Sequence, residues 1–441
     1  MELNQNKYLF LIALHILIGA AVNYIKFLSD VYFASIFLIS LYYIIKSKNK
    51  NNEVLYVSAY IVGSEIFLRM TDGSPSYEFG KYAVIFFSVL GMYYSGISKK
   101  ATVYWIYLML LIPGLIFGIL MFEDESFLRK TIVFNISGPI CLGINALYCY
   151  GRRFTIDEIS NLLVCIGLPI ITCATYLFFY TPNVREALNG TGSNGTLSGG
   201  FGPNQVATIL GLGIFIFVFK SIFNYKSKFL ILVNVSIALY LTYRGFLTFS
   251  RGGMVTAFVM IASSLGYVFF VSTSKLKLKL SILISFMLVF FGLIWMFTSY
   301  QTDGLIDKRY ANKDQRGRQK EDVSTGRTEL AKIEIDLFLD NPVFGIGVGM
   351  GQKARAQKLG FEINSHNEIT RILSEHGSLG IIILLILMIT PIVILFRNFN
   401  HIFLIPFYLF WLLSINHAAM RTASPAFIYG LTLLVVRKNK D

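Results

Sequence analysis

The sequence is poor in charge. Only 15% of its 441 residues are Asp, Glu, Lys or Arg, against about 25% in an ordinary soluble chain. With 55% hydrophobic residues, this excludes a water-soluble enzyme. Histidine is scarce, at five residues, and cysteine scarcer still, at four. Cys141, Cys149, Cys165 and Cys173 fall in or beside apolar runs without metal-type pairing, so they read as small buried hydrophobes. Nucleotide signatures are lacking too: "GVGMGQK" (347–353) has neither the spacing nor the Lys-Ser/Thr ending of a P-loop. No HExxH and no carboxylate-rich cage occurs, so neither a metal nor another cofactor is expected. No internal repeat at a fixed period is visible.

The net charge of +14 invites a nucleic-acid partner. Its distribution argues otherwise, because lysines and arginines sit in small clusters between apolar runs, as topology signals do.

Those apolar runs dominate the chain. Fourteen can be drawn, from 8–25 to 420–436, most of them near the roughly 20 residues that cross a bilayer. The last two, 402–416 and 420–436, are short enough to be one broken or re-entrant segment. The expectation is an all-α polytopic membrane protein with 12 to 14 transmembrane helices. A transmembrane β-barrel would alternate apolar and polar residues, and nothing here does. The first run has only Lys7 before it and no small-residue cleavage site, so it reads as a span.

Loop charge alternates along the chain. "KSKNKNN" (46–52), "SKK" (98–100), "GRRF" (151–154), "NYKSK" (224–228), "STSKLKLK" (272–279) and the terminal "RKNKD" are basic. "TDGSPSYEFG" (71–80), "FEDESF" (122–127) and the Gly/Ser/Asn-rich stretch 181–203 are acidic or nearly neutral. The positive-inside rule puts the basic set and both termini in the cytoplasm. The other loops, and the long polar loop 300–376, then face outward. Three segments follow: 1–299 with spans and short loops, 300–376 as a large outer loop, and 377–441 with the C-terminal spans.

Within the long loop, residues 300–323 look irregular. Ser324 or Thr325 can cap a helix near 327–340, whose Leu330, Ile333, Leu337 and Phe338 form an apolar stripe. Asn341-Pro342 stops it. "FGIGVGMGQ" follows, with glycines at 345, 347, 349 and 351 that allow close approach to a ligand or another backbone.

Ionisable residues at span ends are functional candidates. Arg244 ("LTYRGF") and Arg251 ("TFSRGGM") are seven apart and would share a face on a continuous helix. Arg327 opens the loop helix, and Arg421 ("AAMRTAS") stands between the last two spans. Guanidinium binds phosphate in a bidentate way and stays ionised, so outward arginines suggest a phosphate or diphosphate headgroup. Snorkelling at the interface is the plainer explanation for any one of them. His366 is a candidate general base near neutral pH. On a helix over 366–376 it would share a face with Thr370, Leu373, Gly377 and Gly380, and Asn367 would orient a sugar hydroxyl. His376 points elsewhere on that helix, and His15, His401 and His417 lack phosphate-binding neighbours.

Four elements in this order resemble the bacterial O-antigen ligase and O-antigen polymerase superfamily. They are "GGFGPNQVAT" (199–208), with Asn204; "FSRGGM" (249–254); "TGRTELAKIEIDLFLDNPVFGIGVG" (325–349); and His366-Asn367 followed by Gly377 and Gly380. They cover the second half of the chain.

The resemblance implies a GT-C-type glycosyltransferase that needs neither metal nor nucleotide. Its donor would be a glycan on undecaprenyl diphosphate, and its acceptor a glycan or glycolipid at the outer face of the bacterial inner membrane. A flippase and a chain-length regulator are candidate partners besides membrane lipid. Arg251 and Arg327 would hold the diphosphate and His366 activate the acceptor hydroxyl. Arg244, Asn367, Arg421 and Asn204 are further substrate-binding candidates. Polymerase is the favoured activity, with ligation onto lipid A-core or another acceptor as the alternative. A flippase for the lipid-linked sugar would place arginines in mid-span and has no need of the large loop. A non-catalytic sensor or scaffold would leave the arginine and histidine positions replaceable.

Overall fold

The computed structural model describes residues 4–121, 125–223, 227–320, 322, 324, 326–398 and 401–437, without the side chains of 125–129 and 223. Thr325, residues 122–124 of the acidic loop, residues 224–226 of "NYKSK" and the basic tail 438–441 lie outside this set.

Helices dominate. The first half carries α1 (Gln5–Tyr24), α2 (Leu28–Ser47), α3 (Glu53–Met70), α4 (Phe79–Ser95), α5 (Thr102–Met121) and α6 (Glu125–Cys149). Next come α7 (Ile156–Tyr180), α8 (Pro203–Phe223), α9 (Lys228–Leu247), α10 (Arg251–Val271) and α11 (Ser274–Gln301). Four short helices occupy the long loop: α12 (Leu305–Tyr310), α13 (Arg327–Asp340), α14 (Met350–Leu359) and α15 (Glu368–His376). The chain ends in α16 (Ser378–Arg397), α17 (Leu404–His417) and α18 (Ala423–Leu431). Two three-residue strands, β1 (Arg153–Thr155) and β2 (Val435–Arg437), are the extended elements among the described residues.

Thirteen of the fourteen apolar runs lie on helices; the last, 420–436, is helical over Ala423–Leu431 and ends in β2. Ten helices among the described residues are long and apolar enough to cross a membrane, which makes this an all-α polytopic membrane protein. Of the other four, α3 carries Glu53, Glu65 and Arg69, and α4, α17 and α18 have 17, 14 and 9 residues.

Local chemistry explains several boundaries. Thr155 and Glu158 form a reciprocal capping box at the start of α7, with Glu158 N–H donating to Thr155 Oγ1 at 3.2 Å. Pro203 opens α8, where its missing N–H costs nothing. Asn341-Pro342 ends α13 as expected. Ser324 Oγ accepts from Thr328 N–H at 3.1 Å, so it serves the start of α13. The irregular stretch expected at 300–323 is instead partly ordered: α11 runs on to Gln301, and α12 follows it.

Backbone contacts divide the chain into two compact units. The first comprises Met1–Phe79, Phe154–Glu321 and Arg437–Asp441. Its centre is α7 and α8, the most buried spans, with α1 and α3 packed on α7 and with α9 and α10 packed on α8. The α8–α10 crossing is tight because Gly253 has no side chain: a Cβ there would stand 2.3 Å from the Ala207 carbonyl. α11 has almost no fully buried residues, as befits a helix facing lipid.

The second unit comprises Gly80–Arg153 and Asp322–Val436. It packs α6 on α5 and α18, α17 on α18, and α16 on α5 and α15. The glycine run 345–349 is a backbone-packing segment of this unit. Ile346 N–H donates to Ser374 O at 2.9 Å, Gly347 N–H to Glu375 O at 3.2 Å, and Val348 N–H to Gly114 O at 2.8 Å. Gly377, at φ +61°, meets it from the other side, 2.6 Å from Gly345 N at the place a Cβ would take. Larger residues at these glycines would push α15 off the loop.

Candidate active site

α13 and α15 pack side by side in the second unit and bring the loop histidine to the loop arginine. Arg327, Glu334, Ser365, His366, Asn367 and Asn416 line one cavity of about 40 Å³. His366 does not lie on a helix face as expected. α15 begins two residues later, with Asn367 as its cap, whose side chain accepts from Ile369 N–H at 2.9 Å. His366 therefore sits on the turn that leads into the helix.

That turn is fastened from two sides. Ser365 Oγ accepts from Asn367 N–H at 3.2 Å. Arg421 Nη2 donates to Ser365 O at 2.7 Å, and the Arg421 guanidinium lies 5.9 Å from the centre of the Phe134 ring. Beside this, Met420 N–H donates to Glu368 Oε2 at 3.3 Å. The α17–α18 connection thus grips both ends of the histidine turn.

Burial, then the positive charges of Arg421, Arg327 and Arg355, lower the His366 pKa to about 4. The imidazole is neutral at pH 7 and ready to accept a proton. Its Nδ1 is buried with no hydrogen-bond partner.

Beneath the cavity lies a buried charge network that sequence reasoning missed. Arg355 Nη1 pairs with Glu334 Oε1 at 2.6 Å, both side chains nearly fully buried. Thr370 Oγ1 donates to Glu334 Oε2, and Burial raises the Glu334 pKa while Arg355 opposes the rise. Arg371 pairs with Glu368 and, at 2.5 Å, with Glu375, whose Oε1 accepts from Gly349 N–H at 3.0 Å. Glu334 had one visible signal, a charge on the same stripe as Leu330 and Ile333. Arg355 had none. His417, set aside on sequence grounds, is close enough to His366 and Arg327 to act on their charge.

The remaining candidates belong to the first unit. Ser250 Oγ donates to Asn204 Oδ1 at 2.7 Å, so the "GGFGPNQVAT" and "FSRGGM" elements meet beside Arg251, the first residue of α10. Arg251 is half-buried. Arg244 does not share a helix with it. α9 stops at Leu247, and Phe249 takes φ +56° before α10 restarts. Arg309 of α12, another residue missed from sequence, holds that turn by donating from Nε to Phe249 O at 2.9 Å. Arg244 is 2% exposed and donates from Nη2 to Leu177 O at 3.0 Å and to Leu197 O at 3.3 Å. Those bonds tie α9 to the end of α7 and to the 181–203 stretch.

Residues 236–385 match the protein-family model for O-antigen ligase. The match supports, over that segment, the resemblance to the O-antigen ligase and polymerase superfamily. The matched segment contains Arg244, Arg251, Arg327, His366 and Asn367 and leaves Asn204 and Arg421 outside. No curated protein matches the chain.

Proposed function

We propose that the protein is a polysaccharide polymerase of the bacterial inner membrane. It transfers a glycan from undecaprenyl diphosphate to a sugar hydroxyl at the outer face, with 300–376 as its catalytic segment. The observation that carries the reading is the shared cavity of His366 and Arg327. His366 takes the acceptor hydroxyl proton, the freed oxygen attacks the sugar C1, and the C1–O bond to the diphosphate breaks with inversion. The electron pair leaves on the lipid diphosphate, where Arg327 meets the developing charge. Arg251 keeps its assignment to the diphosphate on the strength of its motif. The energy resides in the donor's phosphoglycosyl bond, so the reaction as written calls on neither nucleotide nor metal.

A low resting pKa suits this order of events. Before donor arrives, burial and then the arginine charges keep His366 neutral. A bound diphosphate offsets them and raises the imidazole's basicity toward working pH, where general-base catalysis is most effective.

Ligation onto lipid A-core or another acceptor is the second reading, favoured by the description of the matching family. Purified protein in nanodiscs, given lipid-diphosphate oligosaccharide alone and then with lipid A-core, separates the two. Longer glycan on the lipid carrier supports polymerase; product only with lipid A-core supports ligase. No new glycosidic bond under any acceptor would overturn both.

A further inference from the structure

Among the described residues, α3 carries a buried ion pair. Arg69 Nη2 meets Glu65 Oε1 at 2.6 Å, both side chains 2% exposed. Such a pair is costly to bury, so what it holds is informative. Arg69 Nη1 donates to Gln205 Oε1 at 3.2 Å, and Gln205 Nε2 donates to the Tyr77 hydroxyl at 3.0 Å. The Arg69 guanidinium also lies against the Tyr77 ring, 4.0 Å from its centre. Tyr77 is thus fixed at its hydroxyl and on one face, yet it is 40% exposed. Phe201 stands beside it, ring centres 6.2 Å apart and planes inclined by 34°. Gln205 follows Asn204, which bonds Ser250 next to Arg251. All of these residues belong to the first unit.

We propose that Tyr77 and Phe201 form a sugar-stacking platform that receives a pyranose ring of the glycan. The inference rests on the glycan-transfer reading and adds a subsite to it. A pyranose offers an apolar C–H face ringed by hydroxyls. A tyrosine ring beside amide and guanidinium groups complements it, with the apolar face against the ring and the polar rim within reach of fixed hydrogen-bonding groups. An interfacial tyrosine of the ordinary kind uses its hydroxyl on lipid headgroups and keeps its freedom to rotate. Tyr77 is pre-organised, so a ligand need not bear the cost of ordering it. The surrounding run 71–78, "TDGSPSYE", is polar, which suits a sugar better than an acyl chain.

The test uses the full-length protein in nanodiscs and two probes. One is the oligosaccharide freed from the producing cell's own lipid carrier by mild acid; the other is undecaprenyl diphosphate without sugar. Tyr77→Ala is expected to weaken oligosaccharide binding about tenfold. Tyr77→Phe should stay within about twofold, since the ring remains against Arg69. All three proteins should bind the bare lipid diphosphate alike. Unchanged oligosaccharide affinity in Tyr77→Ala would overturn the platform. So would loss of both probes together with a lowered melting temperature, which marks a fold anchor. Wild-type protein that transfers glycan but does not bind the free oligosaccharide also overturns it. The glycan-transfer reading fails differently, by wild-type protein that forms no glycosidic bond.

Discussion

Arg421 donates to the Ser365 carbonyl at 2.7 Å and so clamps the residue directly before His366 to the α17–α18 connection. A side chain first considered for substrate binding is therefore attached to the backbone that aims the base. Arg421→Ala should lower kcat about ten- to a hundredfold, the worth of a hydrogen bond to a charged group. Removing its charge should also raise the pKa of His366, because Arg421 is the strongest charge holding it down. The acid limb of kcat/KM would then move to higher pH in the variant. A variant with reduced kcat and an unmoved limb would show that Arg421 acts only on the fold.

His366→Ala should lower transfer by about a hundred- to ten-thousandfold, the usual share of a general base. Arg327→Ala should match it if the leaving diphosphate needs that charge. Both proteins should still insert, since both residues lie outside the long apolar helices. Glycan chain length on gels from complemented cells, beside immunoblots of the membrane fraction, checks this. Normal chains from the His366→Ala strain would remove His366 from the base role.

The pH dependence carries a sign that follows from burial and charge. His366 works as the neutral base, so activity holds above its pKa and falls as pH drops through it. For the free enzyme, read by kcat/KM, that limb should lie near pH 4. In the donor complex, read by kcat, the diphosphate offsets Arg327 and Arg421, so the limb should lie at higher pH. Recovery of activity on return to pH 7 separates titration from acid unfolding. Coincident limbs would mean that the diphosphate does not approach His366.

Much of this arrangement was legible in the sequence, for reasons that differ by residue. Helix α13 was readable to its ends because Pro342 and the Leu330–Ile333 stripe are local signals. The pairing of Asn204 with Ser250 was foreshadowed only as two motifs in one chain. Nothing local states that Gly253 lets α8 and α10 touch. The Glu334–Arg355 pair was invisible because its partners, 21 residues apart, come together only when α14 folds back on α13. Arg244 misled for a related reason. A positive charge near a span end looks the same in sequence whether it faces a ligand or two carbonyls. His417 was passed over because its neighbours in the sequence are apolar, while its neighbours in space are His366 and Arg327.

Gly253 offers a check on the first-unit site without touching a charged residue. A Cβ there would stand 2.3 Å from both the carbonyl carbon and oxygen of Ala207 and 2.6 Å from Thr208 N. These are backbone atoms of α8, so the helices must part. Gly253→Ala should destabilise the protein by about 1–3 kcal/mol, the range for overpacking. The same displacement lengthens the 2.7 Å bond from Ser250 to Asn204 and shifts Arg251 at the start of α10. Transfer should therefore fall in the fraction that remains folded. Gly266, on the same helix with nothing within 4 Å of its Cβ position, is the control. Gly266→Ala should keep both melting temperature and activity, since alanine is the better helix former. Equal melting temperatures for the two variants in detergent would mean that α8 and α10 do not cross at Gly253.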